Sequence, residues 1–209
     1  MAKPIKVWGR TTSSNVKKVL WLADELSLAI DRVDAGGKYG VVDTPAYRAL
    51  NPNGRVPTIE DGNFVLWESN SIMRYLCMKY GGEAFYPADP KTRADIDRWL
   101  DWQLAMLNPF EVPLFWGTIR TPPEKHDKAA IAAQTEKLAA AYAILDRALT
   151  GREYLVDRFS IADIALAIYF HRWLDNPFLQ RPDFPQLAQW HARLRPRPAF
   201  KRHVEVPLE

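Results

Sequence analysis

Three stretches of this sequence carry more polar side chains than a simple turn needs. In residues 10–15, Arg-Thr-Thr-Ser-Ser-Asn lies between a short apolar run and a helical pattern. One hydroxyl or amide side chain is enough to cap that helix, whereas this stretch has five such side chains in a row. A helix N-terminus also attracts anions. The stretch is therefore either an N-cap with extra polar residues or part of a site for an anionic ligand group.

The second stretch is residues 51–57, Asn-Pro-Asn-Gly-Arg-Val-Pro, a dense turn pattern. Pro57 opens a predicted strand, where a residue without an N–H is poorly placed. A cis Val56–Pro57 bond would turn the chain and present the Val56 backbone to an extended peptide ligand. The alternative is an ordinary trans proline at the start of a strand.

The third stretch is Glu68-Ser69-Asn70-Ser71, at the start of a predicted helix. These residues suit a helix cap. They also suit a ligand with both an ammonium and a carboxylate, since Glu68 could bind the first and the Ser69 hydroxyl with nearby amides the second.

Residues 5–80 alternate between strand-like and helix-like patterns in the order β-α-β-α-β-β-α. The predicted strands are 5–8, 29–34, 56–60 and 63–67, and the predicted helices are 16–26, 45–50 and 68–80. In the first helix, Lys17 and Lys18 are assigned to the polar face. The pattern predicts a mixed sheet covered by helices. The three polar stretches should meet at one edge of it, where ligands of such sheets bind.

After residue 90 the sequence shows only helical periodicity. Helices are predicted at 96–107, ended by Asn108-Pro109, and at 131–149, 160–174 and 184–194. The third is apolar on nearly all sides and should be the buried one. Ser160 and Asp163 form a capping-box pattern at its start. We therefore predict an α/β domain at 1–82, a linker at 83–90 and an all-α helical bundle at 91–209.

Composition excludes several classes of function. The 28 basic and 25 acidic side chains give a net charge of +3, too small and dispersed to predict nucleic-acid binding. A single Cys forms no internal disulfide, and no metal-ligand spacing occurs, so no metal is expected. Apolar runs are too short for a membrane span. The reducing cytoplasm is the expected location.

Together these motifs resemble the glutathione transferase family over the whole chain. The segment 51–57 is similar to its NPxGxVP motif, and 68–76 to its ESxxIxxYL helix start. Residues 160–163 are similar to its C-terminal capping box, and Trp8-Gly9-x-x-x-Ser13 to its catalytic-hydroxyl loop. The resemblance implies a thioredoxin-like domain followed by a helical bundle, a homodimer, and a detoxifying transferase with glutathione as co-substrate.

The resemblance also implies how glutathione is held. Glu68 and Ser69 would bind the γ-glutamyl end, and the Val56 backbone beside cis Pro57 would pair with the cysteinyl unit. Arg55 would lie toward the glycine carboxylate. Serine-type members place His-Lys where this chain has Val42-Asp43, so Lys38 is a further candidate for that carboxylate.

The reacting sulfur would then belong to glutathione. Ser13 is the first candidate for the thiolate-stabilising donor, because it lies four residues before Lys17, as in serine-type classes. Asn15 is the second candidate and Ser14 an adjacent one. The loop contains no Cys, which argues against thiol-transferring members, and Cys77 is interpreted as packing.

A small hydrophobic electrophile would contact apolar side chains of the helical domain. The candidates are Trp102, Met106, Phe110, Phe115 and Trp116, with Arg10 at the rim, and core packing is the alternative role for each. Two other functions stay open. The same site could serve glutathione-dependent peroxide reduction or dehalogenation, or the chain could be a non-catalytic binding module.

Overall fold

The computed structural model describes residues 3–208. These residues form two compact units. The first contains the chain up to Tyr86 together with Pro198–Val206, and the second contains Pro87–Arg197 with the last residues of the chain.

The first unit is built on a four-stranded mixed sheet in the order β2-β1-β3-β4. The strands are β1 (Ile5–Trp8), β2 (Ile30–Val33), β3 (Thr58–Asp61) and β4 (Phe64–Trp67). β1 pairs with β2 in parallel and with β3 antiparallel, and β3 and β4 form the hairpin. The predicted mixed sheet is confirmed. β3 begins two residues later than predicted, because the chain turns at the cis Val56–Pro57 bond.

Three helices connect or follow these strands: α1 (Ser14–Glu25), α2 (Pro45–Leu50) and α3 (Ser69–Lys79). α1 buries Val16, Val19, Leu20 and Ala23, spaced as one helix face requires. Lys17 and Lys18 are buried as well, so their assignment to a solvent-facing side was wrong.

The second unit is helical. Its helices are α4 (Pro90–Trp102), α5 (Asn108–Thr118), α6 (Lys128–Ala148), α7 (Ile161–Asp175) and α8 (Pro185–Leu194). A π-helical turn, Gln103–Leu107, joins α4 directly to α5, so the predicted helix end at Asn108-Pro109 is wrong. Pro109 lies in the first turn of α5, where a proline is tolerated. The wider turn lets the Asn108 N–H donate to the Gln103 carbonyl, while Gln103 Nε2 donates to Asn108 Oδ1 at 2.6 Å.

α7 is the buried helix of the second unit, as predicted, with almost every residue inaccessible to solvent. Its capping box is also confirmed: Ser160 N donates to Asp163 Oδ2 at 2.9 Å, and Ala162 N donates to Ser160 Oγ at 3.3 Å. The same carboxylate accepts from Leu155 N at 3.1 Å and from Trp190 Nε1 at 2.9 Å. Burial nevertheless raises the pKa of Asp163 to about 6.

The segment Pro198–Val206 belongs to the first unit, whereas the predicted division placed all of 91–209 in the helical domain. Helix α9 (Pro198–His203) packs on α1, with the Phe200 and Trp21 rings edge to face at 5.1 Å. Arg202 pairs with Asp24 at 2.6 Å. These contacts join residues about 180 positions apart, and local sequence patterns do not predict such contacts.

Replacing Asp163 by Asn should change how stability depends on pH. The folded-state pKa of about 6 lies above the ordinary Asp value, so the folded protein holds this proton more tightly than the unfolded chain. The resulting stabilisation is complete below about pH 4 and is lost as the pH rises through 6. We expect the unfolding free energy of the wild type, relative to Asp163→Asn, to fall over this window in urea titrations. A difference that is constant with pH would contradict the assignment.

Candidate active site

One row of residues across the sheet brings the three polar stretches together. Val33, Trp8, Thr58 and Trp67 are paired in register, so β1, β2 and β4 end, and β3 begins, at the same edge. The loop before α1, the cis-proline loop and the start of α3 all adjoin this row. The predicted convergence is confirmed.

The first loop crosses closely over α1. A Cβ at Gly9 would lie 2.4 Å from Val16 Cγ2, so a larger residue there would displace the helix start. The loop is fixed to the segment at and after β2, since Gly9 N donates to Val33 O at 2.9 Å and Arg10 N to Ala35 O at 3.1 Å.

Ser13 occupies the N-cap position of α1 with extended backbone angles. Among residues 3–208, its hydroxyl makes no capping hydrogen bond; its backbone carbonyl accepts from Lys17 N at 2.9 Å. Ser14 is the first residue of the helix. The Ser13 side chain thus occupies the capping position without the usual capping interaction, which favours the ligand interpretation of this loop over a simple cap.

Asn15 and Ser69 are in direct contact, since Ser69 Oγ donates to Asn15 Oδ1 at 3.1 Å. One turn further along α1, Lys18 Nζ donates to Asn70 Oδ1 at 3.0 Å. Lys18 and Asn70 had no role in the sequence-based site. The available signal was a lysine within the apolar pattern of α1, which was interpreted as part of the polar face.

Glu68 precedes α3 with φ +71° and ψ 110°, in a region that residues with a Cβ rarely adopt. Within the described part of the chain its side chain makes no capping hydrogen bond, and it is exposed. This backbone geometry leaves an acidic group outside the helix, next to the buried Ser69. The capping role considered for Glu68 is not observed.

A buried hydrogen-bond network fixes the cis-proline loop. Tyr47 Oη donates to Arg55 O at 2.6 Å and contacts Thr58 Oγ1 at 2.8 Å. Asn51 Nδ2 donates to the same two oxygens at 2.9 and 3.0 Å. The network holds the backbone on both sides of Val56 and Pro57. Tyr47 and Thr58 were missed from the sequence, because nothing local marks a tyrosine on a short helix as a loop anchor.

The remaining candidates of the first unit lie around this loop. Arg10 packs against the glycines of the loop after β2: a Cβ at Gly36 would lie 3.0 Å from Arg10 Nη1 and 3.4 Å from the Val56 side chain. Arg55 and Lys38 are both exposed, and Lys38 Nζ lies 5.5 Å from the Tyr39 ring centre.

The five candidates of the second unit lie on one continuous helical run and differ in exposure. Met106 is 48% and Trp116 62% exposed, whereas Trp102, Phe110 and Phe115 are half-buried. Trp102 packs edge-on against Trp99 at 5.5 Å. The Arg172 guanidinium lies 4.1 Å from the Phe115 ring centre. The structure therefore gives Trp102 and Phe115 packing partners and leaves Met106 and Trp116 largely accessible within this unit.

The described residues contain neither a candidate metal-binding cluster nor a candidate membrane-spanning helix. Between residues 3 and 208, no group of three or more His, Cys, Asp or Glu side chains could hold a metal ion. Over the same residues, no helix combines the length and apolarity that crossing a bilayer requires. Cys77 is buried, and burial raises the pKa of its thiol to about 12, consistent with a packing role.

The first unit has a thioredoxin-like sheet with its helices and the second unit is helical, and comparison with known proteins identifies the class of enzyme. The family model for the glutathione S-transferase N-terminal domain matches residues 8–84, and that for its C-terminal domain matches 107–198. Glutathione S-transferase GstB of Escherichia coli is 37% identical over 207 residues, covering 98% of this chain and 99% of the relative. Glutathione S-transferase 3 of Zea mays is 30% identical, covering 98% and 96%.

Among solved structures, the theta class glutathione S-transferase of Xanthomonas axonopodis pv. citri with glutathione bound is similar at 46% identity and a TM-score of 0.94. The similarity covers the full length of both chains. The chain belongs to the glutathione S-transferase family. The predicted family, the thioredoxin-like plus helical fold and glutathione-dependent transferase chemistry are confirmed.

Replacing Tyr47 by Phe should weaken glutathione binding as well as stability. The change removes one of the two donors to Arg55 O and leaves Thr58 with fewer partners, at a cost of about 1–2 kcal/mol. Urea denaturation and calorimetric titration with glutathione measure the two effects. Tyr80→Phe is the matched control, since its hydroxyl donates to Asp61 Oδ2 at 2.7 Å, near the far end of α3. It should lose stability alone; normal glutathione binding by Tyr47→Phe would contradict the role of the network.

Proposed function

We propose that this transferase binds glutathione along the edge formed by the three loops and stabilises its thiolate with the Ser13 hydroxyl. The observation that carries the assignment is the position of Ser13. It occupies the N-cap of α1 without a capping hydrogen bond from its side chain in the described structure, on the same edge as Ser69 and Val56. Asn15 is assigned a supporting role, because its side-chain oxygen already accepts from Ser69.

The γ-glutamyl end of glutathione is assigned to the start of α3. Glu68 would pair with the ammonium, and the first amides of α3 would bind the α-carboxylate. The Ser69 hydroxyl would join them by turning its one proton from Asn15 Oδ1 to the ligand. The Val56 backbone before Pro57 would pair with the cysteinyl unit as a strand does. Arg55 and Lys38 are the exposed cations proposed for the glycine carboxylate.

The site would then favour the thiolate over the thiol. A free thiol has a pKa of about 8.5, and each tenfold gain in thiolate needs about 1.4 kcal/mol of preferential stabilisation. A hydroxyl donating to an anion contributes about 1.5–3 kcal/mol, and the positive end of α1 adds to it. The thiol proton passes to solvent, and the sulfur lone pair forms the new C–S bond while the electrophilic carbon releases a leaving group or an electron pair.

A small hydrophobic electrophile is proposed to contact apolar side chains of α4, of α5 and of the π-helical turn that joins them. Met106 and Trp116 are favoured by their exposure, and the half-buried Phe110 is a further candidate. Phe115 and Trp102 retain their packing partners and are proposed only as secondary contacts.

A homodimer is also proposed for this chain, and the cytoplasm as its location. Support for the dimer comes from exposed apolar side chains of the first unit, among them Phe64 and Met78. Sedimentation equilibrium tests the dimer. The cytoplasmic proposal rests on the single buried thiol, which suits a reducing compartment.

Ser13→Ala should raise the pKa of bound glutathione's thiol and lower the thiolate fraction at neutral pH about ten- to a hundredfold. Ultraviolet titration of the thiolate at saturating glutathione measures this directly. Ser14→Ala, one residue away, should titrate as the wild type, and Asn15→Ala should chiefly weaken binding through Ser69. A wild-type titration curve for Ser13→Ala would rule out the assignment.

Glu68→Gln should raise KM for glutathione about tenfold or more and leave kcat little changed, because the lost charge acts far from the sulfur. Steady-state rates with an aryl chloride electrophile test the split. A glutathione analogue that lacks the γ-glutamyl amino group provides the control. The wild type should discriminate against it, and the variant should not. Equal discrimination by both would show that Glu68 does not bind the ammonium.

A further inference from the structure

Two hydrogen bonds join the first two turns of α1 to the first turn of α3. Asn15 and Lys18 lie three residues apart, on one face of α1. Their partners, Ser69 and Asn70, are the first two residues of α3. These hydrogen bonds therefore connect α1 and α3 at their N-terminal ends, which adjoin the edge of the sheet described above.

The inner of these two contacts is fully buried. Lys18 has 0% and Asn70 4% of its surface exposed, so water does not compete for their hydrogen bond. Burying a lysine side chain is costly unless its amino group is hydrogen-bonded. A methionine or leucine at position 18 would extend the apolar face of α1 without that cost. The Lys18–Asn70 hydrogen bond is therefore better explained by a need to hold α3 in position than by a need to fill the core.

The side chain of the adjacent Lys17 contacts a different part of the chain. Lys17 is equally part of α1 and also buried, but its Nζ faces Val204 O, at 3.5 Å, in the C-terminal segment. Of these two adjacent lysines, Lys18 therefore supplies the contact with the start of α3.

The spacing of these two helix ends matters for the proposed function, on which this inference rests. One glutathione molecule has to place its γ-glutamyl end at Ser69 and its sulfur at Ser13. Once the first end is bound, the separation of the two helix ends decides where the sulfur lies. A misplacement of about 1 Å can cost about a hundredfold in rate.

We propose that Lys18 is a positioning residue for the transfer reaction. Through Asn70 it holds the first turn of α3 at a fixed distance from Ser13, so that glutathione anchored on α3 presents its sulfur to the Ser13 hydroxyl. Lys18 contacts neither the ligand nor the reacting atoms in this proposal; it acts through the placement of α3.

The test removes the contact from either side. Lys18→Met and Asn70→Leu should each lower the thiolate fraction of saturating glutathione at neutral pH, and kcat, by about tenfold. The double variant should resemble the single ones, because both changes abolish the same interaction. Asn70→Asp retains an acceptor oxygen for Lys18 and should restore most of the thiolate fraction.

Lys17→Met is the matched control, because it removes the same group from the adjacent buried position. It should lower stability without changing the thiolate titration. Circular dichroism verifies the fold of each variant, and the Asn70 variants decide the matter if Lys18→Met does not fold. Wild-type titrations for the Asn70→Leu and Lys18→Met variants would overturn the positioning role. If Ser13→Ala also titrates as the wild type, the proposed function itself fails, so the two failures are distinguishable.

Discussion

The register of the sheet is the constraint on which the site depends. Pairing Trp8 with Thr58, and Thr58 with Trp67, sets the end of β1, the start of β3 and the end of β4 in one row. A one-residue slip would turn the strand's side chains to the opposite face and carry its loop out of this row. This row is what brings three segments far apart in sequence to one edge of the sheet. The buried side chains Val7 and Ile59, which pair across the same strands, fix the register through the core.

The strand register alone fixes the position of a loop only to within one residue. Catalysis needs atoms to be positioned more precisely than that. Hydrogen bonds between buried or half-buried groups supply this precision at two points. Tyr47 and Asn51 hold the carbonyl of Arg55 and the hydroxyl of Thr58, which fixes the cis-proline loop. Asn15 with Ser69, and Lys18 with Asn70, fix the helix ends. Because little water reaches these groups, losing one partner leaves the other unsatisfied, and alternative arrangements are disfavoured.

Features encoded by neighbouring residues were predictable. The order of strands and helices follows from periodicity, and the Ser160 cap from residues three apart. Features that depend on distant partners were not. From its sequence neighbours Lys18 is expected at the surface, and only its contact with α3 shows that it is buried. Nothing in the local sequence of α9 predicts that it packs on α1. Pro109 predicts a helix end by propensity, but the preceding π-helical turn accommodates it.

The single cysteine shows what kind of catalyst this architecture makes. Burial raises the pKa of Cys77 to about 12, so at neutral pH its thiol remains protonated and inaccessible among apolar side chains. The reactive sulfur proposed here belongs to the ligand and needs a donor at one point and an anchor at another. In that proposal the protein needs no nucleophile of its own, because it supplies the donor, the anchor and the separation between them. In this proposal the buried polar residues behind Ser13 and Ser69 affect the rate without touching glutathione, through the separation that they set.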